Sequence, residues 1–218
     1  MLIPGLVISS VYWIPLAECL SEYAPVFALD LLGFGRSAGP RRSLSMSQHA
    51  AAISRWFEAL EIESCHLVGN SMGCQIAAHL AVREPDRIES LTLIGPTIDP
   101  RHRWLPVQVF KLALDALQEP PRLWGKWLFD FMRAGPFRPF GTTRKMFRDR
   151  IEKQLPRITA PTLILRGEFD SMVPDRWGKA AVELLLFGEY AIIPGVAHCA
   201  HYTAPDRVAA EIRSWICR

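Results

Sequence analysis

The stretch 69–73, Gly-Asn-Ser-Met-Gly, constrains the fold more than any other part of this sequence. It separates an apolar segment ending at Val68 from a segment with helical apolar spacing that ends before Pro85. A serine in so tight a strand-to-helix bend adopts a strained backbone, and glycines flank it because a Cβ there would collide with neighbouring elements. The hydroxyl of Ser71 then stands clear of the sheet, beside helix N–H groups such as that of Met72 that can stabilise negative charge. We therefore predict that Ser71 is a nucleophile.

A serine hydroxyl is a weak nucleophile near neutral pH, so Ser71 needs a base, and the base needs an acid to orient it. In an open α/β sheet such groups come from the carboxyl ends of strands. Asp170 follows one apolar strand and His198 follows the last one, which gives the order Ser, Asp, His along the chain. We predict that these three residues form a catalytic triad. Alternatives remain open for the acid and for the base: Glu168, Asp99 and His201.

Strand and helix patterns alternate along most of the chain. Strand character is found in the short segments 1–3, 26–29, 64–68, 88–94, 162–165 and 190–193. Strands that alternate with helices form a parallel sheet with right-handed crossovers. The sequence therefore predicts an α/β fold with a mostly parallel sheet of about six strands, flanked by helices.

The pattern changes between Pro100 and Pro156, where no strand is evident. Proline and glycine breaks separate three helical stretches, at 104–117, 122–133 and 142–154. We expect residues 1–99 and 157–218 to form the core of the molecule, and residues 100–156 to form a helical lid over one end of the sheet.

This predicted lid is rich in large apolar groups and in positive charge. Between Arg101 and Lys153 it carries twelve basic and five acidic residues, although the whole chain has a net charge of only +3. One interpretation is that the charges are the solvated faces of amphipathic helices. The other is that an apolar acyl channel has a basic rim that attracts anionic substrates or an acidic carrier protein. We expect four aromatic residues to contact substrate: Trp104, Trp124, Trp127 and Phe131.

Composition excludes several classes of protein. The net charge is small, and no run of lysine and arginine marks a nucleic-acid-binding arm. No apolar run is long enough to span a membrane, and the first residues lack the pattern of a signal peptide. The five cysteines contain no C-x-x-C pair and are interpreted as thiols in a reducing compartment, and no histidines have metal-ligand spacing. We expect a soluble, cytoplasmic protein that binds no nucleic acid, inserts into no membrane, and needs no metal or other cofactor.

Five segments together resemble the α/β-hydrolase superfamily: 30–37 (DLLGFGRS), 67–73 (LVGNSMG), 85–88 (PDRI), 160–170 (APTLILRGEFD) and 194–198 (PGVAH). The resemblance covers nearly the whole chain and implies that fold and the same triad. A serine at the bend argues against the dehalogenase and epoxide hydrolase branches, which have aspartate there. The form Gly-Asn-Ser-Met-Gly is similar to that of the hydrolases of meta-ring-fission products, although Cys199 stands where those enzymes commonly have tryptophan.

The sequence departs from the family pattern at two places. Family members usually have His-Gly where this chain has Pro4-Gly5, and the residue after that glycine donates the second N–H of the oxyanion hole. The resemblance therefore implies that the backbone N–H groups of Met72 and Leu6 bind the oxyanion. Family members also place two further strands before this point. We expect those two strands to be missing, and the sheet edge this exposes to permit a homo-oligomer.

We expect a serine hydrolase that cleaves a carboxylic ester, lactone or thioester with an apolar acyl group through an acyl-enzyme. Two alternatives remain open. One is a hydrolase of the C–C bond in ring-fission products, and the other is a ligand-binding protein that keeps the fold without catalysis.

Overall fold

A computed structural model describes residues 1–135 and 137–217 of the chain. Within these residues, the centre of the molecule is a parallel five-stranded sheet whose strands lie side by side in chain order. The strands are β1 (Leu2–Ile3), β2 (Cys65–Asn70), β3 (Ile88–Ile94), β4 (Thr162–Gly167) and β5 (Gly188–Ile193). The predicted α/β fold with a parallel sheet is confirmed.

Helices cover both faces of the sheet. They are α1 (Ile14–Ser21), α2 (Met46–Ala59), α3 (Met72–Arg83), α4 (Leu105–Ala116), α5 (Pro121–Ala134), α6 (Phe137–Arg148), α7 (Ile151–Gln154), α8 (Asp175–Glu183), α9 (Ala200–Thr203) and α10 (Pro205–Ile216). Successive residues of a strand point to opposite faces. Ile164 accordingly packs in the core with α2, α3 and α8, while Leu163 and Leu165 pack in the core with α1, α9 and α10.

The predicted strand 26–29 is reduced to a single bridge. Ala28 pairs in parallel with Leu2, supported by hydrogen bonds from Leu2 N to Phe27 O at 2.8 Å and from Leu29 N to Leu2 O at 3.1 Å. Because β1 is only two residues long, it offers the segment too short an edge for a full ladder. The sheet therefore has five strands where about six were predicted, and the bridged segment lies on the side of β1 away from β2.

The described residues between β3 and β4 form α4 to α7 and contain no strand. The predicted helix 142–154 is divided between α6 and α7. The guanidinium of Arg103 donates to the carbonyl oxygens of Phe147 at 3.0 Å and Asp149 at 2.6 Å. These bonds satisfy carbonyl groups at and just after the C-terminus of α6, which would otherwise have no partner within the helix. Of the helices in the described part of the chain, none is long and apolar enough to cross a membrane.

Candidate active site

Ser71 occupies the turn between β2 and α3 with a backbone that few side chains adopt. Its φ is 55° and its ψ is −118°, and its N–H donates to Ile94 O at 3.0 Å. The two flanking positions must be glycine because neighbouring backbone atoms leave no room for a side chain. A Cβ on Gly69 would lie 2.7 Å from Gly73 O, and a Cβ on Gly73 would lie 2.7 Å from Pro4 O. The strained turn predicted from the sequence is present, and strain of this kind is typical of functional sites.

Asp170 and His198 come from the loops after β4 and β5 and meet in the interior. Asp170 Oδ2 lies 2.8 Å from His198 Nδ1, and both residues are buried. The other oxygen, Oδ1, accepts the N–H groups of Met172 and Val173, each at 2.8 Å. A carboxylate held in this way fixes the orientation of the imidazole ring.

The remaining ring nitrogen of His198 is available for chemistry. Nε2 is buried and has no hydrogen-bond partner among the described residues. His198 and Ser71 line the same cavity, which has a volume of about 740 Å³. The structure therefore brings the predicted nucleophile, base and acid to one place.

The electrostatics around His198 favour its charged form. Burial alone lowers the pKa of an imidazole, but the carboxylates of Asp170, Asp115 and Glu119 outweigh it and raise the pKa of His198 to about 9. Asp170 acts both through its charge and through its hydrogen bond to the ring. An imidazolium formed during a reaction would be stabilised here.

The alternative residues for the acid and the base have other contacts. Glu168 Oε2 accepts the N–H of Gly195 at 2.7 Å, and Asp99 forms an ion pair with Arg176. His201 is fully buried against the rings of Tyr12 and Trp13, at centroid distances of 4.5 and 4.1 Å. Burial lowers its pKa well below the ordinary value, so it is a neutral packing residue.

The loop that replaces the family's His-Gly is held by a tyrosine. Gly5 N donates to Tyr12 Oη at 2.6 Å, and this hydroxyl donates to Asn70 Oδ1 at 3.3 Å. Asn70 Nδ2 in turn donates to His198 O at 3.3 Å. Tyr12 and Asn70 thus connect the loop, the serine turn and the histidine loop through buried hydrogen bonds.

The two N–H groups predicted for an oxyanion hole are free to bind a ligand. Gly5 is so close to the serine that a Cβ on it would stand 3.4 Å from Ser71 Cβ, and Leu6, the next residue, lines the cavity. Met72 is the first residue of α3. Within the described residues, neither Leu6 N nor Met72 N donates a hydrogen bond.

Three of the four aromatic residues predicted to contact substrate line the cavity: Trp124, Trp127 and Phe131. Trp127 stacks on Phe131 with ring centroids 5.2 Å apart, and Trp124 meets Trp127 edge-on at 5.9 Å. Trp104 is not part of this wall, and 71% of its surface is exposed. Most of the wall is apolar.

Much of the positive charge in the segment 100–156 supports structure. Lys145 donates to Ser43 O at 2.6 Å, Arg138 to Pro40 O at 2.8 Å and Lys111 to Met172 O at 3.3 Å. Two basic residues of the segment, Arg144 and Arg148, line the cavity and are exposed. Of the twelve basic residues between Arg101 and Lys153, Arg144 and Arg148 are the two that border this cavity in the described part of the chain.

Sequence reasoning missed two buried acids of this segment. Asp115 Oδ1 accepts His198 N at 3.3 Å, and Glu119 Oε1 accepts Cys199 N at 2.7 Å. Both acids line the cavity. Their four-residue spacing on a helical pattern was available as a signal, but it does not tell a buried face from a solvated one.

Sequence reasoning also missed Gly95, which follows the predicted strand 88–94 directly. It has a φ of 57°, and a Cβ there would lie 2.8 Å from His198 Nδ1 and 3.0 Å from Asp170 Oδ2. The backbone of Gly95 is therefore part of the wall against which the imidazole and the carboxylate pack.

The family follows from comparison with known proteins. Residues 1–135 match the family model described as the alpha/beta hydrolase fold, so the chain belongs to that family. Along almost its full length, over 94% of the chain and 88% of the relative, it is 27% identical to a putative carbamate hydrolase, RutD, of Agrobacterium fabrum.

Two further relatives agree with this assignment. The chain is 36% identical over 106 residues to the probable lysophospholipase BODYGUARD 3 of Arabidopsis thaliana. These matched residues cover 46% of the chain and only 21% of that relative's length. It is also similar to the crystal structure of a bacterial membrane phospholipase A, described as a virulence factor. That likeness has a TM-score of 0.84 and 26% identity, and covers 99% of this chain and 77% of the other.

Proposed function

We propose that this protein is a serine hydrolase that cleaves carboxylic esters through an acyl-enzyme, with the triad Ser71, His198 and Asp170. One observation carries the proposal. His198 is bound to Asp170 at 2.8 Å through Nδ1, its Nε2 has no hydrogen-bond partner among the described residues, and His198 lines the cavity that the strained Ser71 also lines. A nucleophile, a base with a free nitrogen and an orienting acid are the groups that acyl transfer to serine requires.

In the first half of the reaction, Ser71 Oγ attacks the ester carbonyl carbon while His198 Nε2 accepts the hydroxyl proton. The carbonyl C–O double bond becomes a single bond, and its oxygen becomes an oxyanion. When the tetrahedral intermediate collapses, the bond to the leaving alcohol breaks and the imidazolium gives its proton to the alcohol oxygen. In the second half, water repeats the attack on the acyl-enzyme, which releases the acid and restores Ser71.

The oxyanion is bound by the free N–H groups of Leu6 and Met72. Such donors are most effective when they are fixed before the reaction. The hydrogen bond from Gly5 N to Tyr12 Oη supports the Leu6 side, and the start of α3 supports the Met72 side. In this proposal Tyr12 supports the loop in which Pro4 stands where the family usually has histidine.

The apolar wall formed by Trp124, Trp127 and Phe131 suits an apolar acyl group. In this proposal the helical segment 100–156 is the lid that closes the cavity over such a group. Two of the relatives bear the names of lipid esterases, a lysophospholipase and a phospholipase A, which agrees with ester cleavage.

The proposal is tested with a fluorophosphonate probe and a series of p-nitrophenyl esters of increasing chain length. We expect the probe to label Ser71, no labelling of the Ser71→Ala protein, and hydrolysis that increases from acetate to longer acyl chains. A ring-fission dienoate assayed beside the esters tests the alternative C–C hydrolase. Turnover of the dienoate alone would favour that alternative, and an unlabelled Ser71 would favour a binding protein without catalysis.

A further inference from the structure

Two buried carboxylates form one side of the cavity beside the histidine loop. Asp115 lies near the end of α4 and is 3% exposed, and Glu119 lies one helical turn further along and is 6% exposed. They accept the consecutive N–H groups of His198 and Cys199. Neither acid has a lysine or arginine partner within the described residues.

Glu119 keeps one oxygen unused. Oε1 accepts Cys199 N at 2.7 Å, but Oε2 is buried and has no hydrogen-bond partner among the described residues. Buried carboxylate oxygens without a partner are rare because they lose the hydrogen bonds that water would give. Since Glu119 lines the cavity, a bound molecule can supply the missing donor.

The position of the two acids indicates which part of a substrate they meet. In the proposed reaction His198 Nε2 returns its proton to the leaving alcohol, so the alcohol portion of the ester lies on the histidine side of Ser71. Asp115 and Glu119 contact the backbone of that same histidine loop. In the proposed reaction they therefore border the alcohol portion, and the acyl chain is assigned to the aromatic wall.

We propose that Asp115 and Glu119 determine the specificity of this site by selecting esters whose alcohol portion carries a protonated amine. This inference rests on the proposed function and names the substrate class of the same site. The ammonium N–H fills the unused position on Glu119 Oε2, and its positive charge offsets two buried negative charges.

The surrounding groups agree with a cationic ligand. Burial raises the pKa of Asp115 to about 7 and also raises the pKa of Glu119, and the charge of His198 offsets only part of this rise. The pKa of the neighbouring Cys199 thiol is raised by burial and then by the same two acids. Arg144 and Arg148 lie on the exposed rim, where solvent and salt screen their charge more than that of the buried acids.

The experiment compares two butanoate esters of equal shape. One is the 3-(dimethylamino)propyl ester, and the other is the 4-methylpentyl ester, in which a carbon replaces the nitrogen. At about pH 8 the amine is protonated, and Asp115, with a pKa of about 7, is largely ionised. We expect the wild-type protein to show a kcat/KM for the amine ester that is at least about tenfold higher.

The decisive variant is Glu119→Gln. The glutamine carbonyl can still accept Cys199 N–H, but an NH2 group replaces Oε2 and repels the ammonium. We expect the ratio of the two kcat/KM values to fall by about tenfold or more, mainly through the KM of the amine ester. Glu183→Gln, at an exposed position on α8, removes the same charge and is expected to leave the ratio unchanged.

A ratio near one in the wild type, or an equal loss for both esters in Glu119→Gln, would overturn the inference and leave the acid with a structural role only. If neither ester is cleaved, the proposed function fails, but the inference is still decided by binding. The Ser71→Ala protein should bind 3-dimethylamino-1-propanol more tightly than 4-methyl-1-pentanol in calorimetry. Equal binding of the two alcohols would refute the selection. The same measurement decides the inference if Glu119→Gln does not fold.

Discussion

Gly95 lies so close to His198 that a Cβ at position 95 would stand 2.8 Å from the imidazole Nδ1. We expect Gly95→Ala to displace the ring and to reduce kcat by at least about a hundredfold, since small displacements of catalytic groups have effects of that size. Steady-state kinetics on a p-nitrophenyl ester provides the measurement.

Gly125 offers the matched control. It lies inside α5, and nothing lies within 4 Å of the position of an added Cβ. Gly125→Ala should leave kcat unchanged and raise the free energy of unfolding by up to about 1 kcal/mol, because alanine favours the helix. Equal kinetic losses in the two variants would contradict the role given to Gly95.

Replacement of Ser71, the proposed nucleophile, separates chemistry from folding. Ser71→Ala should reduce kcat by a factor on the order of 10⁶, as the loss of a triad nucleophile does, with an unchanged far-UV spectrum. Activity above a tenth of the wild-type value would show that Ser71 is not the nucleophile.

The strained backbone of Ser71 predicts that a glycine at this position stabilises the fold although it abolishes activity. At a φ of 55° a glycine is relaxed where a serine is not. Ser71→Gly should therefore raise the free energy of unfolding by about 1–3 kcal/mol while it abolishes activity. Urea denaturation of the wild type, Ser71→Ala and Ser71→Gly measures this, and a less stable glycine variant would disprove the strain.

The two neighbouring histidines should respond differently to replacement. His198→Ala should lose nearly as much activity as Ser71→Ala, because the proposed base is gone. His201→Ala should reduce kcat by at most about tenfold, and its main effect should be a loss of about 2–4 kcal/mol of stability from the cavity beside Tyr12. A reversed order of the two kinetic effects would identify His201 as the base.

The pH dependence of kcat/KM should reflect the carboxylates around His198. The base must be neutral, so activity increases as pH rises through its pKa, and the pKa of about 9 places this limb above the ordinary value of 6.5. Asp115, with a pKa of about 7, is ionised over that range and favours the imidazolium. Asp115→Asn should therefore shift the limb to lower pH.

The matched control for this shift is Asp86→Asn, which removes an exposed carboxylate. Its pH profile should coincide with that of the wild type. If Asp115→Asn and Asp86→Asn gave the same profile, the charge of Asp115 would have no influence on the base.

The serine turn and the alternation of strands with helices could be predicted because they depend on local pattern. The glycines around Ser71 and the loops that end in Asp170 and His198 are short-range signals. The segment 26–29 has the same local pattern but forms only a bridge, since the length of its neighbour β1 decides how many pairs can form.

Contacts between distant elements could not be predicted in the same way. Asp115 and Glu119 occur at a spacing that is equally common on solvated helices, and their burial depends on how α4 meets the histidine loop. Tyr12 is 58 residues from Asn70 in the chain, so no local sequence pattern indicates their hydrogen bond. Gly95 carries no side chain whose chemistry could mark it.

Three buried acids in the described part of the segment 100–156 restrict how this protein could be engineered. Asp130 accepts the N–H of Ser9 at 2.7 Å, as Asp115 and Glu119 accept those of His198 and Cys199. A chimera that receives this segment from another member of the family would leave three backbone donors unpaired, at a cost of about 1–3 kcal/mol for each buried group. Transplanted segments should therefore succeed only when they carry acceptors at these three places.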